Sequence, residues 1–190
     1  MLDRGLTLKY TKNLEFGLTL ILLLATAILS SVAYITWQRL TFFVGSYLFI
    51  HWLGLIATMF IAITIPIHYI LKRKRPQNSK IILKIHVIGN LFAYLLISLH
   101  FAQNFGRLAG ALQRLGTGFA LYLLLSLIVA TGILERYRIN GKLARYFKVL
   151  HKYTVIVLYL LILIHLLEGF NILWFLSDQK DNLIFLRKCK

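Results

Sequence analysis

The chain has 190 residues, of which 59% are hydrophobic, and its 22 Lys and Arg outweigh 6 Asp and Glu, which gives a net charge of +16. Intrinsic disorder is excluded, because disordered chains are poor in apolar residues. A disulfide scaffold, an iron–sulfur cluster and covalently attached c-type haem are excluded as well, since Cys189 is the only cysteine.

Five apolar segments follow one another along the chain, separated by short clusters of basic residues. A hydrocarbon core about 30 Å thick needs roughly 20 residues of helix at about 1.5 Å each. The segments that meet or approach this length are Leu14–Trp37, Phe42–Leu71, Ile81–Phe105, Gly118–Leu134 and Val149–Leu176. Near-continuous apolarity favours helices over barrel strands, which alternate apolar and polar residues. The sequence therefore predicts an all-α integral membrane protein, a five-helix transmembrane bundle in one domain over residues 1–190.

The basic clusters predict the orientation of this bundle. Fifteen of the 22 Lys and Arg fall on the side that holds the N-terminus, the second-to-third loop and the fourth-to-fifth loop. The positive-inside rule places that side in the cytoplasm and the C-terminus outside, in a prokaryotic cytoplasmic membrane or its organellar equivalent. The first segment also resembles a signal peptide, with small residues at Ser31 to Ala33, but its length favours an uncleaved helix. Because the basic residues cluster between the predicted spans, no nucleic-acid partner is expected.

All six histidines lie in or at the edge of an apolar segment: His51, His68, His86, His100, His151 and His165. Ionisable side chains in a membrane are functional candidates by default, although each ring alone could simply bond a neighbouring helix. His86 and His100 are 14 residues apart on the third segment, as are His151 and His165 on the fifth. At about 100° per residue each pair lies within about 40° of one helix face, with about 21 Å between its members. Two sites at two depths are implied.

The depths of the two pairs match across the two helices. His86 and His151 each follow a basic residue of the inner loops by two or three positions. We therefore expect His86 to face His151 near the inner surface, and His100 to face His165 nearer the outer one. Two imidazoles without a thiolate do not suit zinc, which takes four ligands. They suit the two axial positions of a haem iron, and Gly89 near His86 would let a macrocycle approach the backbone.

The remaining two histidines do not fit this pattern. His51 and His68 are 17 residues apart, which leaves them about 100° apart around the helix axis. A shared ligand face is not expected. Each is a candidate for a ligand of a third site, a hydrogen-bond donor in a quinone pocket, or a packed polar side chain.

On these residues the chain resembles the di-haem transmembrane b-type cytochromes. Two parallel helices that each carry H-x13-H are the signature of this group, and the ferric-reductase-like members, which include NADPH-oxidase cores, place their paired histidines on the third and fifth helices. Cytochrome b of the bc complexes has similar pairs on its second and fourth helices. The resemblance covers Lys84 to Glu168. It implies two non-covalent b haems with four axial ligands, namely His86, His151, His100 and His165.

The chain also departs from that group. The ferric-reductase fold usually has six helices, whereas five are predicted here. Only 14 residues follow Leu176, and no Gly-rich phosphate loop is present, so no flavin or nicotinamide domain is expected. Electrons from NAD(P)H would have to come from another subunit.

Several charged residues are candidates for secondary roles. Haem propionates are anions and favour basic partners, and the candidates are Arg145, Lys148 and Lys152 at the inner site and Arg107 and Arg114 at the outer site. Positive-inside loops explain the inner set equally well. Glu168, one turn after His165, is a candidate proton acceptor in a quinone site, the alternative being a carboxylate at the headgroup level.

The sequence thus predicts an electron-transfer subunit of a membrane oxidoreductase complex, with no catalytic residue of its own. Its expected cofactors are two haem b, together with quinone as an exchangeable carrier. Its expected partners are membrane lipid, quinone and a redox subunit, which would be a flavoprotein, an iron–sulfur protein or a multihaem cytochrome. Two alternatives stay open: a relay that passes cytoplasmic electrons to an external acceptor, and a non-redox accessory subunit whose histidines only join helices.

Overall fold

The computed structural model describes residues 3–107, 116–137 and 143–169. Five helices of spanning length lie in these ranges: α1 Asp3–Ile35, α2 Phe49–Lys74, α3 Ser79–Arg107, α4 Gly116–Tyr137 and α5 Ala144–Gly169. Each contains a stretch of 22 to 27 residues that is long and apolar enough to cross a bilayer, with mean hydropathy from 1.9 to 2.3. The prediction of an all-helical integral membrane protein with five spans is confirmed.

The helix boundaries differ from the apolar segments at several places. The second segment was expected from Phe42, but residues 43–48 form a short antiparallel hairpin of β1 Phe43–Val44 and β2 Tyr47–Leu48. Gly45 turns this hairpin with a φ of +63°, a conformation that suits a residue without Cβ. A 3-10 turn over Trp37–Leu40 precedes it. Apolarity alone therefore overstated the length of the second helix.

The first and fifth helices begin earlier than their apolar segments. α1 starts at Asp3 rather than at the expected position 14, and α5 starts at Ala144 rather than 149. Polar first turns continue these helices beyond the hydrocarbon core. The expected end of the fifth segment, residues 170–176, lies outside the described residues.

Contacts between helix ends show an alternating up-and-down arrangement. The side chain of Gln103, late in α3, donates to the carbonyl of Trp37 just after α1, so α1 and α3 run in parallel. His100 near the end of α3 meets Ile50 at the start of α2, which makes these two helices antiparallel. α3 packs closely against α1 and α2, and α4 packs closely against α5. α3 and α5 are not among the closely packed pairs.

The middle of the bundle is a compact apolar layer. Its buried residues come from α2, α3, α4 and α5 and comprise Ala57, Ile61, Ala93, Leu125, Ile128 and Leu158. α1 lies outside this layer. Large apolar side chains on α1, such as Ile21, Leu24 and Ile28, remain 62% exposed. The acyl chains of a membrane are as apolar as these side chains. These faces of α1 are therefore suited to contact with lipid.

Pro66 interrupts the backbone hydrogen bonding of α2 in the interior of the helix. Proline has no N–H, so the carbonyl four residues earlier, that of Ala62, loses its usual helical donor. The hydroxyl of Tyr159 on α5 donates to this carbonyl over 3.1 Å. The hydrogen bond that α2 lacks is therefore supplied by α5, and it joins the two helices near the middle of the bundle.

An ion pair attaches α1 to α4. The guanidinium of Arg136 donates to both carboxylate oxygens of Glu15, over 2.7 and 2.8 Å. The neighbouring Tyr137 hydroxyl shares a hydrogen bond of 2.8 Å with Thr19, and its ring lies edge-on to Phe16. Bidentate Arg–carboxylate pairs are among the strongest polar contacts, so this cluster fixes the middle of α1 against the end of α4.

Candidate functional site

The six histidines form two groups at opposite ends of the bundle. The first group, here named the His100 end, comprises His51, His100 and His165. The second, named the His86 end, comprises His68, His86 and His151. The rings of His51 and His100 lie 5.5 Å apart, and those of His68 and His86 stack at 4.3 Å. His151 lies at the same end, where its ring contacts Ile128 and Gly132 of α4.

A cavity of about 550 Å³ occupies the His100 end. Both His100 and His165 line it, one from α3 and one from α5. Its wall is mainly apolar, with Leu55, Ile97, Leu121, Leu125, Leu158 and Ile162, and its polar groups include Tyr47, Asn104 and Arg107. A volume between about 300 and 1,000 Å³ with apolar walls and few polar groups is typical of cofactor sites. The expected pair of imidazoles therefore borders a space of cofactor size.

Glycines give three of the four expected ligand rings room to lie against a neighbouring helix. A Cβ at Gly54 would lie 2.9 Å from Cγ of His100, and one at Gly132 would lie 3.0 Å from Cε1 of His151. A Cβ at Gly118 would lie 3.3 Å from Cε1 of His165. Each ring therefore packs directly on backbone.

Gly89, the glycine that the sequence singled out, lies against a phenylalanine ring. A Cβ at this position would lie 2.8 Å from Cζ of Phe60, so the ring of Phe60 covers the surface beside Gly89. The three glycines against the imidazoles were missed. Each lies on a helix different from that of its histidine, and helical periodicity within one segment gives no signal of such a contact.

Both expected ligands at the His100 end are held through Nδ1. Nδ1 of His100 donates to the carbonyl of Ile50 over 3.0 Å. Nδ1 of His165 lies 3.0 Å from the hydroxyl of Thr117, which itself donates to a carboxylate oxygen of Glu168 over 2.5 Å. Because that hydroxyl proton is used, Thr117 accepts from His165. Both rings thus carry their proton on Nδ1 and leave Nε2 free to act as a ligand.

At the His86 end, His151 is held in the same way. Its Nδ1 donates to the carbonyl of Ile128 over 3.0 Å, with the hydroxyl of Thr131 at 3.3 Å. Nε2 is again the free nitrogen. In the described part of the chain no hydrogen bond reaches Nε2 of His151, His100 or His165.

His86 has a different partner. The amide nitrogen of Asn90 donates to its Nδ1 over 3.0 Å, and the hydroxyl of Thr64 donates to the amide oxygen over 3.1 Å. This arrangement puts the imidazole proton on Nε2. A 180° rotation of the Asn90 amide reverses the donor and acceptor roles, because the hydroxyl of Thr64 accepts as readily as it donates. Nδ1 of His86 then donates to the amide oxygen, and Nε2 becomes available to a metal.

His51 and His68 lie at opposite ends, which agrees with the expectation that they share no site. Nδ1 of each is buried and has no hydrogen-bond partner among the described residues. Unpaired buried nitrogens are uncommon in folded proteins.

The charged residues with expected secondary roles are placed unevenly. Arg107 lines the cavity, and its Nη2 donates to the side chain of Asn104 over 3.2 Å. Glu168 is exposed, and the hydroxyl of Thr117 connects it to the site. The candidates Arg145, Lys148 and Lys152 are exposed along the first turns of α5, the last with its ammonium 5.9 Å from the ring centre of Tyr153. Arg114 lies outside the described residues.

Within residues 3–107, 116–137 and 143–169, no three His, Cys, Asp or Glu side chains converge to hold a bare metal ion. Each end of the bundle holds three histidines, and two of the three rings at each end lie against one another.

No protein-family model, curated protein or solved structure matches the chain. The geometry of the two histidine groups is therefore the guide to function.

Proposed function

We propose that the chain is the membrane subunit of an oxidoreductase, in which His100 and His165 hold one b-type haem and His86 and His151 hold a second. The observation that carries this proposal is the cavity between α3 and α5 at the His100 end. It is bordered by two imidazoles whose Nδ1 atoms are engaged, so that both present Nε2. Histidines that ligate a metal usually donate their other ring N–H to a carbonyl, a carboxylate or water.

The surroundings of these rings fit a flat apolar macrocycle with an anionic edge. The wall of the cavity of about 550 Å³ is mainly apolar, which disfavours water. Gly54 and Gly118 allow the imidazoles to lie against the backbone, and Arg107 stands among the lining residues as a cation for a propionate. Haem, when bound, supplies reversible one-electron exchange at its iron. The protein orients the ligand rings, keeps the site dry and neutralises the propionates.

The proposed role is to carry electrons across the bilayer between quinone or quinol and a redox subunit. Within each H-x13-H pair the two histidines are about 21 Å apart along the helix axis, a large part of a hydrocarbon core about 30 Å thick. We place the quinone at the His100 end, where Glu168 is an exposed carboxylate close to His165. The redox subunit would dock at the His86 end, where the exposed basic run Lys72–Arg75 lies. This end would face the cytoplasm.

Haem content tests the proposal directly. Purified protein should give two haem b per chain in a pyridine haemochrome assay, with b-type α bands after reduction by dithionite. His100→Ala and His165→Ala should lose the same haem, and His86→Ala and His151→Ala the other. Colourless protein would contradict the proposal. Loss of one common haem in His86→Ala and His165→Ala would show that the pairs are wrong.

The quinone assignment has a separate test. Glu168→Gln should slow the reduction of the haems by a quinol analogue while both haems stay bound, because the acceptor for the quinol proton is lost. An unchanged rate, together with a slower rate in His68→Ala, would move the quinone site to the His86 end.

A further inference from the structure

His165 differs from the other expected ligands in what lies beyond its Nδ1. His100 and His151 donate to backbone carbonyls, of Ile50 and Ile128. His165 donates to the hydroxyl of Thr117, and this hydroxyl donates in turn to the carboxylate of Glu168. A negative charge is thus connected to the imidazole through one hydroxyl group.

The position of Thr117 stabilises this chain of hydrogen bonds. Thr117 is the second residue of α4, and Glu168 is at the end of α5. The first turn of a helix carries a partial positive charge, which favours the ionised form of a carboxylate placed beside it. α4 therefore presents both the hydroxyl and a favourable field for Glu168.

A carboxylate that accepts, directly or through a hydroxyl, from the far nitrogen of a ligating histidine raises the basicity of the nitrogen that faces the metal. A more basic ligand stabilises the oxidised iron relative to the reduced iron. A backbone carbonyl, being neutral, does this less. The two ends of the bundle thus differ in the electron density that their imidazoles supply.

We propose that Thr117 is a positioning residue that fixes the ring of His165 and couples it to Glu168, and that this coupling lowers the midpoint potential of the haem at the His100 end. The inference rests on the proposed function. It explains why the two haems would have different midpoint potentials, and it attributes the difference to Thr117 and Glu168.

Four variants test the proposal. Thr117→Val keeps the shape of the side chain and removes the hydroxyl, and Glu168→Gln keeps the hydrogen bond and removes the charge. Thr117→Ser restores the hydroxyl. Thr131→Val is the matched control, because Nδ1 of His151 keeps the Ile128 carbonyl at 3.0 Å when the hydroxyl at 3.3 Å is lost.

Spectroelectrochemical titration of the holoprotein gives the midpoint potentials. We expect Thr117→Val and Glu168→Gln to shift one of the two potentials to a higher value and leave the other in place. Thr117→Ser should keep both potentials, and Thr131→Val should leave the potential of the His100 end unchanged. Unshifted potentials in both Thr117→Val and Glu168→Gln would overturn the proposal while leaving the haem sites themselves intact.

A second measurement separates this inference from the haem assignment. Imidazole nitrogen NMR of histidine-labelled protein, assigned with His165→Gln, reports which ring nitrogen of His165 carries the proton. In haem-free protein the wild type should show the Nδ1–H form of His165, and Thr117→Val should lose it. If Thr117→Val left the tautomer of His165 unchanged, the positioning role of Thr117 would be refuted, even in protein that binds no haem.

Discussion

The His100 end and the His86 end start from the same H-x13-H spacing and differ in what surrounds the rings. At the His100 end, the imidazoles border an apolar cavity and donate to a carbonyl and a hydroxyl. At the His86 end, the ring of His86 stacks on His68 and is bonded to the amide of Asn90. Spacing along one helix sets the depth of a ring. Its partners come from other helices, and they make the two ends chemically distinct.

Glycine substitutions should separate the two ends most strongly. In Gly54→Ala the new Cβ would lie 2.9 Å from His100, so the ring must shift and the haem of the His100 end should be lost. Gly132→Ala, at 3.0 Å from His151, should remove the other haem, and Gly118→Ala, at 3.3 Å from His165, should only reduce occupancy. Haem content per chain is the measurement.

Gly17→Ala is the control for this series, because its Cβ would meet nothing within 4 Å. Two haems in Gly17→Ala and one in Gly54→Ala is the expected contrast. Equal haem content in all four variants would mean that close ring-to-backbone packing is not needed for binding.

The attachment of α1 gives the next largest contrast. Glu15→Ala leaves Arg136 unpaired at the His86 end, which should lower the free energy of unfolding by about 3 to 5 kcal/mol. At the His100 end, Gln103→Leu removes only a 3.4 Å hydrogen bond to Trp37, and about 1 kcal/mol or less is expected. Thermal unfolding in detergent compares the two variants.

The double variant Glu15→Leu with Arg136→Leu is the control for the ion pair. Replacing both charges removes the unpaired group, so most of the lost stability should return. A double variant as unstable as Glu15→Ala would show that packing around Phe16 and Tyr137, rather than the charge pair, holds α1.

Asn90 should affect the His86 end alone. Asn90→Leu removes the partner of Nδ1 of His86, and the loss of such a partner commonly weakens metal binding by about 10-fold or more. Haem titration of the apoprotein should therefore show one weakened site and one normal site. Weakening of both sites would indicate a general change in the bundle.

The smallest effects are expected at the two remaining histidines. His51→Ala and His68→Ala should both keep two haems. The spectral shift should be larger in His68→Ala, because His68 stacks on a proposed ligand at 4.3 Å, whereas His51 meets its neighbour edge-on at 5.5 Å. Reduced-minus-oxidised spectra make this comparison. A haem lost from either variant would make that histidine a ligand.

The sequence predicted the elements that depend on local composition. The five spans are apolar enough to be recognised one by one, and the depth of each histidine follows from residue counting. The hairpin at residues 43–48 was missed because its residues are as apolar as those of a helix, and only Gly45 marks the turn.

The surroundings of the rings were not predictable in the same way. Thr117 contacts His165, and Gly54 contacts His100, and each contact joins two different helices. The sequence of one segment does not show which helix lies beside it. The ion pair of Glu15 with Arg136 spans 121 positions of the chain. Such contacts depend on how the helices pack, and packing is decided by all five together.

The hydrogen bond that the Tyr159 hydroxyl donates to α2 has a consequence for how the helices assemble. Without α5, the Ala62 carbonyl of α2 would lie in hydrocarbon without the donor that Pro66 withholds. A bare carbonyl in that medium costs several kcal/mol. Packing of α5 against α2 removes this cost, so α5 completes the backbone hydrogen bonding of α2 at one defined position.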